Sequence, residues 1–247
     1  MLLAEPQPSP YDLNFRLFGV DVRVHPLFWL VSLVLAGVGD VTPGDALIWI
    51  AVVFISILVH ELGHVAAYRY YGTDADVVLY SMGGLAIARN HRWRGHWSQV
   101  VISFAGPLAG FLLAGLILAS LYAARVPVQL SFGLPEVVQY YFPPVGGRNL
   151  TIFLYDILFV CIYWGLVNLL PIYPLDGGQI ARALFEIFGV RDGLAKSLML
   201  SIGAAAMMAL VGLEQKSFFM AIMFGMLAYQ NYVALQETRG RFRRSPW

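Results

Sequence analysis

Long apolar runs separated by short polar intervals dominate the chain, and they set the expected fold. Apolar residues run from Ala46 to Tyr71, Val100 to Ala124, Leu150 to Leu170, Gly193 to Val211 and Ser217 to Leu235, each near or above the roughly 20 residues that cross a hydrocarbon layer. A run from Pro26 to Val38 is short for a span, so as a first crossing it has to borrow flanking residues or sit in a thinned layer. Two stretches follow a different period. Phe15 to Val24 is rich in β-branched and aromatic residues and interrupted by Gly19, which predicts a strand or strand pair at the membrane surface, ended by His25-Pro26. Val77 to Ala88 predicts a hairpin with Gly83-Gly84 as its two-residue turn. The expected fold is an all-α polytopic membrane protein, about six transmembrane helices with a small membrane-associated β-hairpin or sheet.

The intervals carry their own signals. Gly39 to Asp45 reads as a turn in which Thr42 or Asp45 caps the next helix. Gly63, Ala66 and Ala67 thin one face of that helix. Gly106 and Gly110 have the spacing that lets a second helix approach closely, and Pro107 between them is tolerated if neighbours satisfy the freed backbone groups. Arg125 to Asn149 is the longest polar interval and is expected to fold back onto the membrane surface. His25 reads as a helix-end or interfacial residue rather than a ligand, and Asp156 as a buried hydrogen-bonding or interfacial acid. Residues 1–247 are expected to form one membrane-embedded domain, with 1–24 a surface segment and 237–247 a basic cytoplasmic tail.

Composition agrees with the pattern. The chain is 59% hydrophobic and 13% charged, with a mean hydropathy of +0.68, far from the balance of a soluble domain. Met1 to Asp12 lacks a basic stretch leading into an apolar core, so the first span is expected to direct insertion. A net charge of +1 and the absence of a basic aromatic binding surface give no nucleic-acid partner. Cys161 is the single cysteine, which rules out an intrachain disulfide and a cysteine zinc site and leaves it a packing role. Arg89, Arg92 and Arg94, with His91, Trp93, His96 and Trp97, read as an interfacial anchor. Lys and Arg collect on the side of the termini, at Arg16, Arg23, Arg69 to Arg94, Arg182 to Lys196 and Arg239 to Arg244. The other side has Arg125, Arg148 and Lys216. Both termini are therefore expected in the cytoplasm of a multi-pass protein of the cell (inner) membrane.

Candidate chemistry lies within the second run, at His60-Glu61-Leu62-Gly63-His64. Two histidines four residues apart sit about 40° apart around a helix, so both imidazoles can reach one zinc ion, while Glu61 can act as the general base. Two histidines and a glutamate in hydrocarbon cost several kcal/mol without partners, so they point to function. A third ligand is wanted. Asn168-Leu-Leu-Pro171-Ile-Tyr-Pro174-Leu-Asp176-Gly177-Gly178 follows the fourth run, and Pro171, Pro174 and the two glycines predict irregular backbone around Asp176. Alone, such an aspartate reads as a turn or cap residue; beside a two-histidine motif it is the leading candidate ligand.

With HELGH at 60–64, NLLPIYPLDGG at 168–178, Met82-Gly83-Gly84 and Ala105-Gly106-Pro107 in order, the chain resembles the site-2 protease family of intramembrane zinc metalloproteases. The resemblance implies one Zn2+ per chain on His60, His64 and Asp176, Glu61 as catalytic base, and Asn168 at the substrate; apart from it, one edge of the Val77–Ala88 hairpin, with Gly83 and Gly84, is expected to accept an extended substrate as an added strand. It implies regulated intramembrane proteolysis of a transmembrane protein substrate within the lipid bilayer. Gly110 stands where members often carry an asparagine. The length suggests a compact member without a PDZ or CBS domain. The alternative is a membrane zinc carrier or sensor, which uses the same ligands but gives Glu61 no task.

Overall fold

A computed structural model describes residues 6–37, 41–89, 95–133 and 137–244, with side chains described to residue 239 in the last helix. Asp40 of the expected turn, His91, Arg92, Trp93 and Arg94 of the interfacial stretch, and the end of the basic tail lie outside the described residues. Two compact units make up the chain, Met1–Asn90 with Gly106–Gly165, and His91–Ala105 with Leu166–Trp247.

The first unit begins with the predicted strand pair, β1 (Leu13–Leu17) and β2 (Val20–Val24). Phe18 and Gly19 form the two-residue turn at φ of 50° and 74°, the left-handed pair that matches the twist of a hairpin. Their carbonyls each accept a 2.9 Å bond from the Arg69 guanidinium at the end of α2 (Pro43–Tyr70). β3 (Ala75–Tyr80) pairs parallel with β2, and β4 (Gly83–Ala88) pairs antiparallel with β3, giving the order β1-β2-β3-β4. Val20, Val22, Val24, Val77 and Leu79 are almost wholly buried, while Asp21, Arg23 and Asp76 alternate with them on the opposite face. On that face Arg89 binds Asp76 and Asp21, and the two carboxylates hold its guanidinium well above the ordinary arginine range.

Between β2 and β3 run α1 (Pro26–Leu35) and α2. His25 caps α1 by accepting the Leu27 N–H on Nδ1 at 3.2 Å, the helix-end role expected of it. Thr42 rather than Asp45 caps α2; its Oγ1 accepts the Asp45 N–H at 3.3 Å, with Pro43 in the first turn. α2 is 28 residues long, about 42 Å, enough to cross a bilayer. From Gly106 onward, α3 (His96–Ala123) belongs to this unit, and so does α4 (Arg148–Asn168) through Gly165. Gly110 backs onto the Cys161 carbonyl, at 3.3 Å from where its Cβ would stand, the close helix approach its spacing predicts. Cys161 is buried and packs its thiol against the Ser56 hydroxyl. The interval after α3 forms a hairpin that its sequence pattern did not signal, β5 (Gln129–Phe132) with β6 (Val138–Tyr141), fastened to α4 by Tyr140, which donates to the Tyr155 carbonyl.

The second unit holds the start of α3, the end of α4, α5 (Asp176–Ile187), α6 (Gly193–Glu214) and α7 (Phe218–Arg244), with α6 and α7 forming a packed antiparallel pair. α5 is an addition to the expected elements. His96 Nδ1 meets a Glu186 carboxylate oxygen at 2.8 Å, and Gln99 donates to Gln179 at 2.9 Å, so α5 lies along the first turns of α3.

Among the described residues, five helices are long and apolar enough to cross a membrane, α2, α3, α4, α6 and α7, and α1 is a shorter apolar helix. The chain is a mostly helical multi-pass membrane protein with small sheets, close to the expected helix count. Two local expectations need correction. The turn between β3 and β4 is Ser81-Met82; Gly83 and Gly84 open β4 instead. Asp176 is not in irregular backbone but is the first residue of α5, where a carboxylate is favoured by the helix dipole. The irregular segment is 169–175 before it.

Candidate metal centre

α2 carries His60 and His64 one turn apart, and the structure brings them together with Glu61. One ligand atom from each lies within 4.8 Å of the others, and the two imidazole rings are 4.9 Å apart at 77°. All three are buried, at 3%, 4% and 8% exposure for His60, Glu61 and His64. Imidazole and carboxylate donors of this kind suit zinc.

The walls of this centre are main chain. A Cβ on Gly106 would stand 2.2 Å from His64 Nε2 and 2.7 Å from His60 Nε2, so both ring nitrogens converge on a cradle that any side chain would fill. The donor set and the cradle fit a single small cation. On another side, a Cβ on Gly84 would stand 2.4 Å from Glu61 Oε1, so β4 passes directly over the carboxylate. Gly83, at φ +117°, lies against the Trp164 ring, 2.7 Å from its would-be Cβ. Burial, and secondly the Glu61 charge, push the Tyr80 phenol above its ordinary value.

β4 pairs only with β3 among the described residues. Arg89 donates its N–H to the Asp74 carbonyl, which fixes the alternation of the ladder: in register with it, the N–H groups of Gly83, Leu85 and Ile87 face β3. Those of Gly84, Ala86 and Ala88 face the open edge.

Asp176 and Asn168 belong to the second unit, and both are buried. Asn168 ends α4 and Asp176 begins α5. The glycines after Asp176 are needed for contact: a Cβ on Gly177 would stand 2.2 Å from the Leu169 carbonyl oxygen, and one on Gly178 2.3 Å from the Tyr173 nitrogen. The residue that sequence reasoning placed elsewhere is Gly106, read as a helix-packing position. Its signal was the Ala105-Gly106-Pro107 segment that carries the family resemblance, and only the fold aims it at the histidines.

Comparisons with known proteins show the family. The family model of Peptidase family M50 matches residues 48–210. A zinc metalloprotease of Methanocaldococcus jannaschii is 26% identical over 80% of this chain and 51% of its own length. Stage IV sporulation protein FB of Bacillus subtilis is 30% identical over 68% of this chain and 48% of its own. The chain thus spans about half the length of these relatives. Among solved structures, the site-2 protease from Methanocaldococcus jannaschii matches with a TM-score of 0.57 at 21% identity, covering 91% of this chain and 95% of that one, which places the two in one fold. With a family match that takes in the HExxH helix, β3, β4, α3, α4 and α5, the chain belongs to Peptidase family M50.

Proposed function

We propose that the protein is an intramembrane zinc metalloprotease that hydrolyses a peptide bond within or near a transmembrane segment of another membrane protein, as in regulated intramembrane proteolysis. The observation that carries this reading is the convergence of both histidine Nε2 atoms on the bare backbone of Gly106 with Glu61 beside them. His60 and His64, with Asp176 as third ligand, would hold one zinc ion per chain. When bound, zinc polarises a carbonyl and brings the pKa of water toward neutrality. Glu61 accepts the proton of the attacking water on its carboxylate and returns it to the leaving amine. A carrier or sensor would have no use for that carboxylate. Cleavage of a co-expressed single-span protein that depends on Glu61 tests the reading, whereas zinc crossing the membrane without cleavage would favour the carrier.

A helical substrate shields its peptide groups until it unwinds. The open edge of β4, beside Glu61, supplies backbone partners for the extended form by strand addition, with Gly83, Gly84 and Asn168 at the substrate. Ala86→Pro removes one outward donor and spares the ladder to β3. Loss of one backbone hydrogen bond should lower kcat/KM on the order of tenfold, with zinc content unchanged. Parental cleavage by folded Ala86→Pro protein would count against strand addition at this edge.

For topology, we place the protein in the cell membrane with both termini cytoplasmic, which counts α1 as a crossing. At 10 residues it spans about 15 Å, half of a hydrocarbon core of about 30 Å, so that crossing requires a locally thin layer. Reporter fusions at each terminus should both give cytoplasmic signals; opposite signals would mean five crossings.

A further inference from the structure

α6 and α7 are apolar along most of their length, yet each buries a polar side chain, Ser201 at 1% exposure and Asn231 at 2%. Such groups in a spanning helix are costly unless they serve a partner. These two serve the main chain of the same residue. The Tyr173 N–H donates to Ser201 Oγ at 2.9 Å, and Asn231 Nδ2 donates to the Tyr173 carbonyl at 2.6 Å. Each anchor is tied into its own helix as well, Ser201 donating to the Ser197 carbonyl at 2.9 Å and Asn231 Nδ2 to that of Leu227 at 2.8 Å. Residue 173 is therefore gripped by its main chain from two helices.

The gripped peptide touches the start of α5 with nothing between. Gly178 leaves no room for a side chain above the Tyr173 nitrogen, and Gly177 none above the Leu169 carbonyl. Leu175 donates to the Ile172 carbonyl at 2.8 Å, and the Gln179 side chain donates to the Pro174 carbonyl at 3.3 Å. Segment 169–175 and the first turn of α5 thus form one body, and Asp176 is its first helical residue. We infer that Ser201 and Asn231 are positioning residues for the metal centre: by fixing the Tyr173 main chain they fix where Asp176 presents its carboxylate. This rests on Asp176 being a zinc ligand. Packing alone would be met by a leucine at 231, close to asparagine in size and far cheaper in hydrocarbon. Groups that orient a ligand typically change metal affinity about 10- to 100-fold when removed.

The test uses the full chain purified in detergent, with zinc affinity measured by chelator competition and the visible spectrum recorded with cobalt in place of zinc. Asn231→Leu and Ser201→Ala should each weaken zinc binding, Asn231→Leu by about 10- to 100-fold, and alter the cobalt spectrum; Ser201→Thr, which keeps the hydroxyl, should restore both. Phe224→Ala, a core truncation in α7, controls for general loosening and should leave both unchanged. Parental affinity and spectrum in folded Asn231→Leu and Ser201→Ala overturn the clamp, as does an equal loss in Phe224→Ala. Should Asn231→Leu not fold, Ser201→Ala and Ser201→Thr decide alone. Asp176→Ala separates the two levels. If it binds zinc like the parent, the ligand assignment fails and the clamp's role with it; if it weakens binding and the clamp variants do not, the clamp alone fails.

Discussion

Glu61→Gln should leave zinc bound and the fold intact while cleavage of a membrane substrate falls about 10²- to 10⁴-fold, the usual contribution of a positioned proton acceptor. The substitution keeps the size and planarity of a side chain that is 4% exposed and lies under the backbone of Gly84, so the cradle around it is unchanged. It leaves His60 and His64 untouched. His60→Ala or His64→Ala, by contrast, should lower zinc content together with activity, because a site short of one ligand binds more weakly. Zinc-loaded Glu61→Gln protein that cleaves at the parental rate would remove Glu61 from the mechanism.

Gly106→Ala should abolish zinc binding and activity together. The added methyl would need the His64 ring to retreat by roughly an ångström, since it would otherwise stand 2.2 Å from Nε2. Metal–ligand distances tolerate only about 0.2 Å, and a 1 Å misplacement at a reacting centre can cost about 10²-fold. Gly110→Ala is the control on the same helix. It gains the same helix propensity, about 1 kcal/mol, but meets only the Cys161 carbonyl at 3.3 Å, so it should keep zinc. Metal analysis of the two purified variants decides the matter, and parental zinc content in Gly106→Ala would show that the histidines do not need the bare backbone.

The runs that cross the membrane were legible in the sequence because hydropathy and length are local properties, and α2, α3, α4, α6 and α7 lie where the runs predicted. His60, Glu61 and His64 were legible for the same reason, since helical spacing alone brings them onto neighbouring positions. Glycine pairs were harder. Gly83-Gly84 and Gly177-Gly178 both look like turns, because a sequence does not distinguish a glycine used for its backbone freedom from one used for its missing Cβ. Gly84, Gly177 and Gly178 are used for the missing Cβ, against Glu61 and against segment 169–175. Gly83 serves both needs. α5 was obscured by the prolines before it. Pro174 lies inside the irregular segment, two residues before the helix start, a position where a fixed φ does no harm. Gly133 and Pro135 stand between β5 and β6, but in a five-residue interval inside a long polar stretch rather than as a two-residue turn, and the Tyr140 bond that fastens the hairpin to α4 is supplied only by the fold.

The bare-backbone walls at Gly84 and Gly106 limit how this centre can change over generations. At either position every other amino acid adds an atom where Glu61 or a histidine ring already stands, so neither wall offers a neutral first step. Heritable variation in what the protein accepts is pushed outward, to side chains one layer back. Trp164, whose ring covers Gly83, is one place where a shape can drift by single substitutions while the histidines and Glu61 stay as they are.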